Sequence, residues 1–439
     1  MPRLTPALIA AAVTTMILVA PLSAAADSVT TSIPTGSNSP AVIAVTPDGS
    51  KVVAVNYSNT VTVVDTATGT STAPASLGAF SYNLVVTPSG TTALVATTGA
   101  GLSFVDTATG VATSVVYNSY IFDVALSPDG SLAYLTTASS TVIVVDVATR
   151  AEVRRITLSN AGNGYGIAVL PGGAQLLVTD ISGQALLEVD AATGAVTQTI
   201  AIASNPTEVV VSADGAHVYV ASFISGTVHS VNLTAGTASP IALDATGPFA
   251  EMGLTPDGSK LYVARGFGNQ VTVIDTASNT TTAPIITAVI SRGIAIPASG
   301  TRAYVGDSTT PGLLIVEIDR PPLLLAAAAP SAIVGTPYAF SPLIEGSPAP
   351  TFALTGTLPS GLAFDAATGR VSGTPTQSGS FSFSITATNA FGTDSQTYAV
   401  VVSATAALAA TGVSPLPLAA SAGLLVLLGL ALRRPRRVH

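Results

Sequence analysis

Residues 46–69 read TPDGSKVVAVNYSNTVTVVDTATG. Two short apolar segments, 51–56 and 60–65, lie between turn residues, with Pro47-Asp48-Gly49 in front and Asp65 to Gly69 behind. Valines interleaved with small polar residues favour strands over helices. Pro-Asp-Gly supplies the fixed and the positive backbone angles that a tight turn needs. With residues 41–46 in front, the unit is three strands and two turns, followed by a looser outer strand. Aspartates recurring at fixed points could mark repeated chemistry or repeated turns.

The turn glycine recurs at Gly49, Gly90, Gly130, Gly173, Gly215, Gly258 and Gly300, at intervals of 41, 40, 43, 42, 43 and 42 residues. A period near 42 built only of strand patterns is the signature of four-stranded propeller blades. Inner segments such as 84–87 and 209–212 are almost continuously apolar, as expected of a strand buried on both faces between neighbouring blades. Five positions before each glycine stand Ala44, Val85, Ala125, Ala168, Val210, Gly253 and Ala295, all small. The seventh unit breaks off after Asp319 into Arg320-Pro321-Pro322 and lacks an outer strand. Residues 29–40, VTTSIPTGSNSP, parallel the outer strand VTQTIAIASNP at 196–206. The expectation is that residues 29–34 pair with 313–318 and seal the ring, removing its exposed edges.

From Pro321 the period ends. The alternating Phe381, Phe383, Ile385 and Tyr398, Val400, Val402 mark half-buried antiparallel strands of a second domain. The pentapeptide DAATG occurs at 190–194 in the repeats and again at 365–369 in this domain. A catalytic motif has no reason to serve two architectures, whereas a hairpin turn does. Asp65, Asp106, Asp146, Asp190 and Asp275 are accordingly read as turn residues, with Asn232 in the same place in unit five. Asp48, Asp129 and Asp257 read the same way, and Ser89, Gly172 and Ala298 replace them elsewhere.

Of the 439 residues, 48% are hydrophobic and only 9% charged, with no cysteine and three histidines. That leaves no disulfide, thiol nucleophile or thiolate metal site, and it implies no cofactor. His217 and His229 are assigned to the second and third strands of unit five, away from the channel. Residues 1–26 have the charge, apolar run and Ala24-Ala25-Ala26 ending of a secretory signal. Residues 413–432 form a chargeless run long enough to span a membrane, followed by a basic tail at 433–439. Setting these ends aside leaves 10 basic against 23 acidic residues, a net −13. Nucleic acid is a poor partner for that charge.

A ligand site is expected at one mouth of the propeller channel. Seven positions before each turn glycine are Val42, Asn83, Asp123, Gly166, Glu208, Glu251 and Gly293; one earlier are Ala41, Tyr82, Phe122, Tyr165, Thr207, Ala250 and Arg292. This register places Tyr82, Asn83, Phe122, Asp123, Tyr165, Glu208, Glu251 and Arg292 on one rim. Aromatics beside carboxylates suit a sugar or peptide, and three carboxylates suit a divalent cation; a solvated channel mouth is the plainer reading.

Tyr219-Val220-Ala221-Ser222, Tyr262-Val263-Ala264-Arg265 and Tyr304-Val305-Gly306-Asp307, with the repeated V-x-V-x-D-x-x-T-G endings, resemble YVTN-type seven-bladed propellers of surface-layer and secreted proteins. The later pattern, including LPSGLAFDAATGRVSGTP at 358–375, resembles the immunoglobulin-like domains related to cadherin sandwiches, which serve as spacers or adhesive modules. Without acidic ligand runs, this domain is not expected to bind calcium. Leu408-Ala409-Ala410-Thr411-Gly412, then an apolar run, then arginines, resembles the sorting signal of wall-anchored Gram-positive proteins, in its L-A-x-T-G variant. That resemblance implies a sortase that attacks the Thr411 carbonyl and joins the chain to cell-wall peptidoglycan; a plain membrane anchor is the alternative.

The expected organisation is all-β: a signal at 1–26, a seven-bladed β-propeller at 27–320 and an immunoglobulin-like β-sandwich at 321–404. A linker with the LAATG motif (405–412), the membrane segment (413–432) and the basic tail (433–439) follow. The expected function is that of a secreted, wall- or membrane-anchored surface protein, adhesive, ligand-binding or structural, not an enzyme. An extracellular propeller lactonase, hydrolase or lyase is the alternative.

Overall fold

The structure, a computed structural model, describes residues 27–404 apart from 36–38, 100, 159–161, 204, 223–224, 242, 244–250, 267, 288, 310–311 and 326–327. The secretory, sorting and membrane-anchor expectations therefore lie outside the described residues, as does Ala250. Among the described residues there is no α-helix, so none is long and apolar enough to cross a membrane.

The chain forms a seven-bladed β-propeller followed by an immunoglobulin-like β-sandwich. Blade 1 shows the common plan. Pro40–Val45, Lys51–Asn56, Thr60–Asp65 and Ala75–Ser76 pair antiparallel in chain order. The inner strands of the seven blades, Pro40–Val45, Ser81–Val86, Ile121–Leu126, Gly164–Val169, Pro206–Val211, Glu251–Leu254 and Ser291–Ala295, neighbour one another in that cyclic order and close the ring. Middle strands are buried on both faces: Val52, Val53, Ala54 and Val55 are at most 1% exposed. Each such valine contributes about 1.5 kcal/mol or more as an upper estimate.

The ring closes as expected. Ser28–Pro34 lies antiparallel to Gly312–Glu317, with Ile33 opposite Leu313 and Val29 opposite Val316. It is the outermost strand of blade 7. Asp27, just ahead of this strand, is 8% exposed. Its carboxylate accepts bonds from Lys260 Nζ (2.8 Å), Tyr262 Oη (2.6 Å) and the Asp319 backbone N–H (2.7 Å). Blade 6, the start of the described chain and the exit from blade 7 thus meet on one side chain.

The repeated aspartates are turn groups. Asp190 Oδ1 accepts the N–H groups of Ala192 (3.1 Å) and Thr193 (2.7 Å), and Asp365 Oδ1 accepts that of Ala367 (2.9 Å). Asn232 does the same for Ala235. Asp48 Oδ1 accepts Ser50 N–H and the Thr46 hydroxyl. All seven turn glycines have φ between +62° and +74°, the region that glycine enters without steric cost. Hydrogen bonds to Thr68 and Ser127 hold the Asp65 and Asp129 carboxyls down to about 2. His217 departs from expectation: it sits in the turn ahead of Val218–Ser222, and its N–H bonds Ser212 Oγ across that turn. His229 lies in Thr227–Asn232, buried.

In the sandwich, Gly379–Asn389 and Gly392–Ser403 pair along their whole length. Phe383, Ile385, Tyr398, Val400 and Val402 are buried with Tyr338, Phe340 and Val371. Against the propeller, the Lys260 ammonium lies 5.8 Å from the centroid of the Phe391 ring. Asn389 Nδ2 bonds the carbonyls of Arg320 and Pro348.

Deleting residues 27–36 removes both the closing strand and the Asp27 contacts. At about 2 °C per kcal/mol for a domain of this size, and several kcal/mol for a lost strand and a buried ion pair, Tm should fall by about 5 °C or more. Differential scanning calorimetry checks this, and an unchanged Tm contradicts strand closure.

Candidate functional site

Every inner strand except that of blade 6 carries a register irregularity near its start, for example between Ser81 and Asn83, Ile121 and Asp123, and Pro206 and Glu208. The residue eight positions before the turn glycine is stepped over in each, together with the following glycine in blades 4 and 7. A bulge there re-aims its side chain out of the ladder, and Tyr82, Phe122, Tyr165, Thr207 and Arg292 all reach a cavity of about 490 Å³. Asn83, Asp123, Glu208 and Glu251 line the same cavity. All eight rim residues expected from the repeat register are brought together.

The walls differ in character. On the side of blades 2–4, Phe122 stacks on Tyr165 with centroids 4.7 Å apart, and Tyr82 meets both rings edge-on at 5.6 and 6.0 Å. Phe80 extends the cluster, 5.3 Å from Tyr82, and both are about 40% exposed. Across the opening, the Arg292 guanidinium lies 5.1 Å from the centroid of the Tyr57 ring. Burial raises the Tyr57 and Tyr165 hydroxyls above the usual tyrosine value.

The carboxyls have a second task that the rim register does not reveal. Asp123 Oδ2 accepts the Ile167 N–H (2.9 Å), Glu208 Oε1 that of Met252 (2.8 Å) and Glu251 Oε2 that of Ile294 (3.0 Å). In each case the acid lies seven positions before its turn glycine, and the amide lies six before the next. The carboxyls therefore tie adjacent blades together. Asn83 Nδ2 donates to Asp123 Oδ1, extending the series to blade 2. Gly293 makes room for the last tie, since a Cβ there would lie 3.2 Å from Glu251 Oε2 and 2.9 Å from Ile43 Cγ1.

Burial lifts the Asp123 carboxyl to about 7 and that of Glu208 to about 8, with the backbone N–H bonds opposing. Glu251 is raised well above the usual range by burial and then by Glu208. Among the described residues, no group of three acidic or histidine side chains is arranged to hold a metal ion. Asp123, Glu208 and Glu251 are instead each turned to a backbone amide of the next blade.

Other wall residues came from positions the rim register does not include. Tyr57, Ile181 and Gly266 all lie eight residues after a turn glycine, and Phe80 and Asn205 ten before one. Extending the same alignment past the ends of the second strands finds the first three, and extending it ahead of the inner strands finds Phe80 and Asn205. Ser81 also lines the cavity; it is 4% exposed, and its hydroxyl has no partner among the described residues. Neither His217 nor His229 reaches this cavity.

Free carboxyls ionise near pH 4, whereas Asp123 and Glu208 in the folded chain keep their protons until about pH 7 and 8. Their contribution to stability is full below about pH 4 and is lost as pH rises through the folded values. The turn aspartates, held low, act oppositely and only below this window. Tm should therefore fall between pH 5 and pH 8.5, and Asp123→Asn with Glu208→Gln should flatten the fall. A double-variant profile parallel to wild type contradicts the assignment.

Residues 321–403 match a family model described as "Putative Ig domain". No curated protein matches the chain in sequence. Among solved structures, the chain is similar to one titled Kuenenia stuttgartiensis Hydrazine Synthase, at 20% identity and a TM-score of 0.58, over 66% of this chain and 97% of that one. At that identity the likeness is one of fold. The chain is thus a propeller followed by a domain that, over residues 321–403, matches this immunoglobulin-like family.

Proposed function

We propose that the protein is a non-enzymatic surface module whose propeller binds a ligand at the channel mouth while the sandwich holds it away from the cell. The observation that carries this reading is the convergence of eight rim residues on one cavity of about 490 Å³, with aromatic faces on one wall and polar groups on the other. Concave sites with aromatic walls and a few directed polar groups are the usual form of small-ligand sites. The propeller is read as YVTN-type from its motifs, and the C-terminal LAATG motif as a sortase substrate joining Thr411 to peptidoglycan.

Two experiments test this. The purified full-length protein is titrated with wall glycans, peptides and small organic ligands. A ligand whose affinity drops about tenfold or more in Tyr82→Ala and Phe122→Ala supports the cavity; no response, or one indifferent to these changes, removes it. For anchoring, wall digestion of the native host should release the protein bonded to wall fragments, and Thr411→Ala should leave it in the membrane fraction. Protein that stays in the membrane irrespective of Thr411 leaves only a membrane anchor.

A second reading, an extracellular hydrolase or lyase, is favoured by the same raised carboxyls, since an acid still protonated near pH 7 can serve as a general acid. Turnover of a lactone or glycoside, abolished by Glu208→Gln, would replace the binding reading with it.

A further inference from the structure

The cavity is unbalanced in charge type. Asp123, Glu208 and Glu251 line it against the single guanidinium of Arg292, which is drawn to the Tyr57 ring. Glu208 commits only Oε1 to the Met252 amide, and the residue as a whole is half-buried on the cavity wall. The half-exposed rings of Phe80 and Tyr82 offer faces beside this acid-lined floor. The buried, unpartnered Ser81 hydroxyl on the same wall is an independent sign that a ligand completes the site.

We propose that the cavity binds an organic ammonium ion with an apolar or aromatic body, its charge facing Glu208 and its body lying on the Phe80 and Tyr82 rings. This rests on the reading of the cavity as a binding site and goes on to name the ligand class. Ring faces attract cations through their quadrupole, and a carboxylate supplies the counter-charge. Once the acids ionise, a neutral sugar leaves their charge uncompensated and an anion meets them as repulsion.

The ionisable groups sharing the cavity with Glu208 are Asp123, Glu251, Arg292, Tyr57, Tyr82 and Tyr165. Asp123 adds to the upward shift of Glu208. A bound cation favours the ionised acid, so binding expels a proton, and affinity climbs as pH rises toward the Glu208 value.

The test uses calorimetry on the full-length protein with benzyltrimethylammonium, whose charge does not titrate, beside benzyl alcohol, phenylacetate and N-acetylglucosamine. The ammonium should bind about tenfold tighter than the alcohol at pH 8 and about tenfold tighter at pH 8 than at pH 6. Its heat should also depend on buffer ionisation enthalpy. Glu208→Gln should erase the preference over benzyl alcohol with Tm at pH 6 retained, and Tyr82→Ala should weaken both. Equal or tighter binding of the alcohol, the sugar or phenylacetate overturns the ammonium assignment while leaving the cavity as a binding site. Failure of all four probes, together with the broader titration, overturns both.

Discussion

A circular arrangement of blades is only as stable as its last joint, and here that joint is made by the chain's two directions meeting in blade 7. Ser28–Pro34 completes a sheet whose other three strands come from the end of the propeller. The Asp27 carboxylate, held by Lys260, Tyr262 and the Asp319 amide, locks the strand in place at its start. An ion pair at 5% and 23% side-chain exposure is not a large stabiliser in itself, because desolvation offsets most of its attraction. Its value is in register: breaking it leaves a buried charge, so a slipped strand is penalised. Two of the hydrophobic clusters that bridge blades also draw on the closing strand, one through Val29 and the other through Ile33.

The inner rim has its own version of the same solution. Each inner strand is the last of its sheet, so the N–H groups on its axis-facing edge have no partner strand and need acceptors from elsewhere. Asp123, Glu208 and Glu251 supply them across blade boundaries. A carboxyl accepts such a bond whether or not it is ionised, which is why burial can raise these groups without breaking the ties. The result is a set of acids that line the cavity while holding adjacent blades together. The cavity lining and the cohesion of the blades therefore draw on the same side chains.

Much of this was readable before any coordinates. The turn glycines gave the blade count, DAATG in two folds gave the meaning of the aspartates, and the break after Asp319 gave the closure. Each is a local backbone requirement and so leaves a local mark. The rim register also brought together eight residues that line one cavity, because the blades are periodic. What could not be read was the direction of each carboxyl. Glu208 contacts an amide 44 positions away, and no pattern within one repeat encodes a bond to the next. Tyr57 and Phe80 were missed for a simpler reason: they lie just outside the inner strands on which the alignment was centred. His217 was placed one step too far along, since a turn and a strand start differ by a single residue there.

The joint in blade 7 also sets how the molecule would carry load. The sandwich leaves the propeller through Asp319 and Arg320, directly behind the strand Gly312–Glu317. A pull transmitted through the sandwich enters that strand, which is flanked by Arg302–Asp307 on one side and Ser28–Pro34 on the other. Hydrogen-bond ladders on both flanks then share the force, where an edge strand would peel away bond by bond. The point where the chain leaves the propeller is thus guarded by Ser28–Pro34, the strand that closes the ring.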